Sequence, residues 1–315
     1  MSDVALSFNK LSVGYQQGKS SKMLFDAIDI TLKTGELVCF MGPNGIGKST
    51  LLKTMAGLTP PLSSFNTIID SKKIAIVLTD RVHAMHMRVR ELVSYGRYPY
   101  LNWRAQLTTE DQIVVEDALK LLHLESIADK DINTLSDGQL QMVMIARAIV
   151  QDTPILLLDE PTAHLDLNNR VEVMNMLRKL AREKNKAILV STHELDLALQ
   201  TADLLWLADD RQLLMGIPED LVLDGSLDRI FQFKGFDLKT GKVFHESYRG
   251  VTINLVGEGH EYLWTKNALE RSGYEVSEYG ELKIEISNLK FQISDGKLCE
   301  SIHELLEAIG KHSKR

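Results

Sequence analysis

The chain lacks the features that mark several broad classes of protein. It has two cysteines in 315 residues, Cys39 and Cys299, far apart and with no C-x-x-C spacing. They support neither a disulfide framework nor a thiolate metal centre, and a reducing compartment is the plain expectation. No apolar run approaches the roughly 20 residues that cross a bilayer. The opening MSDVALSFNK has no basic stretch followed by an apolar one, so no signal peptide is expected and any membrane role runs through a partner. Positive charge is also in deficit: the net charge is −7. There is thus no basic footprint in the totals, and nucleic acid is not expected as a ligand.

What is present is an ordinary globular mixture, 44% hydrophobic and 25% charged, long enough for one large domain and a small one. The first 35 residues alternate apolar and polar positions (Val4, Leu6, Phe8; Ile28, Ile30, Leu32) and predict antiparallel strands. Buried strands are predicted at 36–41, 74–78, 155–158, 187–191 and 204–207. Helices are predicted at 48–56, 167–183 and 194–202. Such alternation means an α/β core with a mainly parallel sheet. Residues 89–150 read as mostly helical, clearest at 116–124 and 140–149, and form an inserted subdomain of about 82–150. The texture changes at FQFKGFDLKTGK, which reads as a linker. Beyond it come strands at 251–256, 282–287 and 289–294 and helices at 260–272 and 301–311. The expected division is a core domain over 1–235, a linker over 236–248 and a small α+β domain over 249–315.

Three motifs carry chemistry. GPNGIGKST (42–50) fits G-x-x-x-x-G-K-[ST] between a strand and a helix. Glycines let successive backbone N–H groups point at phosphate oxygens, and the helix N-terminus adds positive potential. Gly42, Asn44, Gly45, Gly47 and Thr50 complete the cradle, Lys48 reaches the β- and γ-phosphates, and the Ser49 hydroxyl ligates magnesium. ILLLDEP (155–161) is a buried strand that ends in two carboxylates. Asp159 would hold magnesium through water and Glu160 could polarise an attacking water as general base. LSDGQ (135–139) opens a helix, with Ser136 as its cap and Gly138 allowing close approach to an anion.

Together with PTAHLD (161–166) and STHE (191–194), these motifs stand in the order found in ABC-type ATPases, and the chain resembles that family over roughly 3–235. The resemblance implies a P-loop ATPase core with an antiparallel β subdomain and the inserted helical subdomain, and ATP and Mg2+ as ligands. It implies a head-to-tail homodimer in which Ser136, Gly138 and Gln139 of one subunit close over ATP on the other's P-loop. Tyr15 would then stack on adenine, Asp166 would lie at the dimer seam, and His193 would contact the γ-phosphate and hold water against Glu160.

Two stretches look like the branch that imports iron–siderophore complexes, haem and cobalamin: ELVSYGRYPYLNW (91–103) and STHELDLALQTADLLWLAD (191–209). That likeness implies a peripheral subunit on the cytoplasmic membrane face, with integral permease subunits and an external binding protein reached through them. Arg97, Tyr98 and Trp103 are expected to form an exposed patch gripping a short permease helix. The chain departs from the family where a glutamine usually follows the 74–78 strand: Thr79 and Asp80 stand there, and either the Thr79 hydroxyl or the Asp80 carboxylate could take its place, with Thr79 the candidate magnesium neighbour. Asp137 replaces a common signature glycine. HAMHM, with His83, Met85, His86 and Met87, has donors that suit copper, but reads more simply as a loop. The C-terminal domain carries no catalytic pattern and is expected to regulate the ATPase, strengthen the dimer or stabilise the chain.

Overall fold

A computed structural model describes residues 3–17, 20–63, 70–79, 87–101, 104, 106–232, 236–237, 242–243, 245, 247–287 and 290–312. Asp80, His83, Met85, His86 and Trp103 lie outside the described residues. The chain divides into two compact units, 1–232 and 233–315.

In the first unit β1 (Val4–Gln17) and β2 (Ser20–Lys33) pair as an antiparallel hairpin whose register is broken by bulges. Its inward side chains, among them Phe8, Leu11, Val13, Phe25 and Ile30, are buried in one core with Phe40, Leu51, Leu52 and Trp206. Each such side chain contributes about 1.5–3 kcal/mol when taken fully from water.

The central sheet is built from β3 (Leu37–Met41), β4 (Ile74–Val77), β5 (Ile155–Asp159), β6 (Ala187–Ser191), β7 (Leu204–Asp209) and β8 (Gln212–Gly216), in the order β4-β5-β6-β3-β7-β8. All neighbours are parallel except β7 and β8. Every residue of β3, β5 and β6 is buried, the continuous apolar run of strands covered on both faces. Cys39 sits among them. Burial, then the charge of Asp203, push its thiol up to about 12, leaving a small inert hydrophobe.

Register then fixes the site. Phe40 pairs with Ser191, and Ser191 with Asp159, so the ends of β3, β5 and β6 lie at one level of the sheet. Thr192 N donates to Phe40 O (3.1 Å) and Glu160 N to Ser191 O (3.0 Å). The phosphate-cradle turn, the paired carboxylates and the Ser-Thr-His turn therefore leave the same edge, where parallel sheets place ligands.

Helices α1 (Lys48–Met55), α5 (Leu167–Glu183), α6 (Leu195–Thr201), α7 (Pro218–Leu223) and α8 (Ser226–Phe231) accompany the sheet. The helical insertion comprises α2 (Val89–Ser94), a 3-10 turn at Tyr95–Tyr100, α3 (Thr109–Leu121) and α4 (Asp137–Val150). α3 begins earlier than the expected 116–124. Thr108 caps it and Asp111 closes a capping box, while His123, beyond its end, has a left-handed φ of 53°.

The second unit has its own core, with Ile253, Leu255, Leu269, Phe291, Ile293, Leu305 and Ile309 buried together. Its sheet runs β12-β11-β13-β14-β15, from β11 (Thr252–Val256), β12 (Glu275–Val276), β13 (Leu282–Ser287), β14 (Lys290–Ile293) and β15 (Leu298–Cys299). α9 (Gly259–Arg271) and α10 (Ile302–His312) complete it. The two-residue edge strands β12 and β15 were too short to leave a sequence period. The expected linker is also not wholly irregular, since β9 (Phe236–Asp237) pairs antiparallel with β10 (Lys242–Val243).

Candidate functional site

The turn between β3 and α1 is shaped by glycine. Gly47 has φ 114°, and a Cβ there would meet Leu24 Cδ1 at 2.9 Å, so the hairpin packs directly on the turn and a side chain there would be strained. Lys48 is buried, and its Nζ donates to Gly42 O (2.9 Å) and Pro43 O (3.3 Å). Burial lowers its pKa, while the charges of Glu160 and Asp159 act in the opposite direction. Ser49 and Thr50 follow in the first turn of α1, and Asn44 and Gly45 are exposed at the mouth.

Asp159 is buried. Its Oδ1 accepts from Ser191 Oγ at 2.5 Å and its Oδ2 from the Thr79 hydroxyl at 3.3 Å. Glu160 has φ 50°, a left-handed conformation costly for a residue with a side chain. It is held there by its own N–H, which donates to both the carbonyl and the hydroxyl of Ser191. The carboxylate meets His193: Nε2 lies 2.7 Å from Oε1. Lys48, Thr79, Asp159, Glu160 and His193 thus form one cluster at the sheet edge. Ser191 belongs to it too and was not among the expected site residues. Its signal lay inside STHE, but its role follows from the pairing of β5 with β6, which no local pattern reveals.

Ser136, Gly138, Gln139 and Asp166 gather elsewhere. Ser136 caps α4 by accepting from Gln139 N (3.2 Å), and Gln139 Oε1 accepts from Ser136 N (3.1 Å) in return, a capping box. A Cβ on Gly138 would lie 3.0 Å from His164 O, so this glycine lets the helix start press on the 164–166 loop. Asp166 caps α5 through Asn169 N (2.9 Å). These residues line a cleft of about 380 Å³ that includes His123, His164 and Glu172 but no residue of the phosphate cradle. Asp137 is the first residue of α4, where a negative charge suits the helix dipole. Tyr15 stands half-exposed on β1, its ring centre 5.9 Å from Lys22 Nζ.

One expectation is corrected. Arg97 is not part of an exposed patch. Its side chain is 12% exposed, its Nε donates to Asp111 Oδ1 (2.8 Å) and its Nη1 to Val150 O (2.9 Å). It also stacks on Tyr100, 3.8 Å from the ring centre. The sequence pattern counted it as a surface cation, but a buried carboxylate on α3 and the open carbonyls ending α4 recruit it inward. Tyr95, Tyr98 and Tyr100 do remain exposed.

Among the described residues no cluster of three or more His, Cys, Asp or Glu is arranged to hold a metal, and no helix is long and apolar enough to cross a membrane. Ser49, Thr79 and Asp159 offer only oxygen donors, the chemistry of magnesium rather than of a soft metal.

Residues 25–163 match the family model described as ABC transporter, and residues 250–310 match that described as iron ABC transporter C-terminal domain. The achromobactin transport ATP-binding protein of Dickeya dadantii is 34% identical over 239 residues, covering 72% of this chain and 87% of that protein. A solved transporter described as of metal-chelate type, facing inward, aligns with a TM-score of 0.64 at 29% identity, over 73% of this chain and 90% of that one. A dimeric ATP-binding cassette bound to ADP and phosphate after hydrolysis aligns at 0.60 and 26% identity, over 67% of this chain and 98% of that one.

Proposed function

Because this chain belongs to the ATP-binding proteins of ABC transporters and is an ATPase, we propose that two copies clamp ATP head to tail and drive uptake of an iron complex, haem or a corrinoid through a membrane permease. The observation that carries this reading is the division of the site. The cluster around Lys48 and Glu160 and the cluster around Ser136 share no residue, and a nucleotide clamped by both is best supplied by two chains facing each other.

In this reading the backbone from Gly42 to Thr50 and the Lys48 ammonium hold the phosphates, and Tyr15 stacks on the base. Glu160 draws the proton from the attacking water, with His193 fixing its carboxylate and contacting the γ-phosphate. Ser49 and Asp159 would hold magnesium, with Thr79 beside them, and the bound ion would offset phosphate charge. The partner's Ser136, Gly138 and Gln139 close the other side, and Asp166 lies at the seam.

Iron as cargo is supported by the match of residues 250–310 to an iron-transporter domain and by the likeness to a transporter of metal-chelate type. The exposed Tyr95, Tyr98 and Tyr100 are the surface we assign to the permease contact. Solubilised membranes from cells carrying a tagged chain should yield a multi-span partner, and deleting the chain should abolish uptake of chelated iron. A chain recovered from membranes alone, with uptake intact, would favour a soluble non-transport ATPase instead.

The second unit has its own core, and we assign it regulation of the ATPase or reinforcement of the dimer. Truncation after Asp237 should leave a folded ATPase whose turnover or dimerisation in ATP differs from that of the full chain at least about threefold, a shift under 1 kcal/mol. Unchanged turnover, transport and dimerisation would leave it only a stabilising role.

A further inference from the structure

Arg170 lies in the first turn of α5 and bonds to two loops at once. Its Nε donates to Leu165 O (2.6 Å), and its Nη1 stands 3.3 Å from Glu194 Oε1. Leu165 belongs to the loop that Gly138 presses and that ends at Asp166. Glu194 follows His193 directly. One guanidinium therefore joins the loop beside Ser136 to the turn that carries the partner of Glu160.

Helix stability does not explain either side chain. A cation in the first turn opposes the helix dipole, and the first turn of α5 contains no acidic residue. Glu194 occupies the position before α6, yet its carboxylate does not cap that helix. It faces Arg170 instead. Both residues forgo a favourable local role, and the planar fork of arginine suits two acceptors in fixed directions, as an ammonium would not.

We propose that Arg170 is a positioning residue for hydrolysis: it locks the 164–166 loop to the His193–Glu194 turn, so that His193 meets Glu160 in the reactive geometry only when the loop beside Ser136 is seated. The proposal rests on Glu160 acting as the base. Arg170 touches no reacting atom, so it acts on kcat rather than on nucleotide affinity.

The test is steady-state ATPase of the full-length chain with Arg170→Ala, Arg170→Lys, Glu194→Gln and the Ala/Gln double variant. Arg170→Ala should lower kcat about tenfold, the scale of a sub-ångström displacement of a reacting group, with KM for ATP within about threefold. Arg170→Lys should recover part of the loss, since it keeps the charge but not the fork. The double variant should be no worse than the worse single one, because both remove one link. Wild-type kcat in Arg170→Ala would overturn the proposal, as would a loss that tracks the thermal midpoint with no recovery by lysine, or fully multiplicative effects in the double variant. Glu160→Gln in the same assay separates the two levels. Normal turnover there would overturn the assignment of the base, whereas normal turnover in Arg170→Ala alone would overturn only the role of Arg170.

Discussion

Glu160→Gln should lower ATP turnover at least about a hundredfold, the lower bound for losing a positioned general base, while the nucleotide still binds. That is about 2.7 kcal/mol of transition-state stabilisation, and up to twice that at the upper end. The size follows from geometry. Glu160 is held at φ 50° by two bonds from its N–H to Ser191, and neither bond depends on the side chain, so glutamine keeps the backbone. Glutamine also keeps an oxygen toward His193 Nε2, the 2.7 Å contact. What is lost is the negative charge and, with it, the capacity to take a proton. An ATP-bound dimer should therefore accumulate, seen as a shift to twice the mass in gel filtration with ATP but not with ADP. Turnover within threefold of the native chain would remove Glu160 from the role of base.

Much of this was legible because its signals are local. The 42–50 turn needs a strand, glycines and a helix start in succession, and Leu37–Met41 and Lys48–Met55 supply them in one stretch of chain. Buried parallel strands announce themselves as unbroken apolar runs, so β5 and β6 lie within one residue of their expected limits. Less visible was whatever depends on which segments become neighbours. Ser191 holds Asp159 and Glu160 only because β6 pairs with β5 at that register. Arg170 reads as one more surface cation on an amphipathic helix until Leu165 and Glu194 are brought to it. Arg97 misled for the same reason. Its immediate sequence is aromatic and exposed, and the carboxylate that draws it inward is fourteen residues away on another helix.

Replacing Arg97 should destabilise the first unit in a pH-dependent way. Arg97→Met keeps the aliphatic length and removes the charge, which leaves Asp111, whose side chain is only 5% exposed, without its counter-charge and bonded to Thr108 alone. Removing one partner of a buried pair costs about 3–5 kcal/mol, so the unfolding midpoint of the first unit should fall by about 10 °C at pH 7. The cost should shrink in acid, and its sign is fixed by the carboxyl. Burial alone would raise the pKa of Asp111. The Thr108 N–H, the Arg97 and Thr108 side-chain bonds and the Arg97 charge outweigh it and hold the pKa below the usual value. A depressed carboxyl stabilises the fold above its unfolded pKa of about 3.9, and that stability is lost as pH falls through the folded value. In Arg97→Met the carboxyl loses two of those opposing influences while its burial remains, so it protonates more readily and the variant loses less on acidification. The gap between the two proteins should be widest at neutral pH and narrow below about pH 4, where Asp111 begins to carry its proton in the unfolded chain. Asp111→Asn in the Arg97→Met background should recover part of the neutral-pH loss, because an amide leaves no buried charge behind. A midpoint lowered equally at pH 7 and pH 3 would mean that Arg97 acts through its bond to Val150 O and its stacking on Tyr100 alone. A midpoint unchanged at both would return Arg97 to the surface.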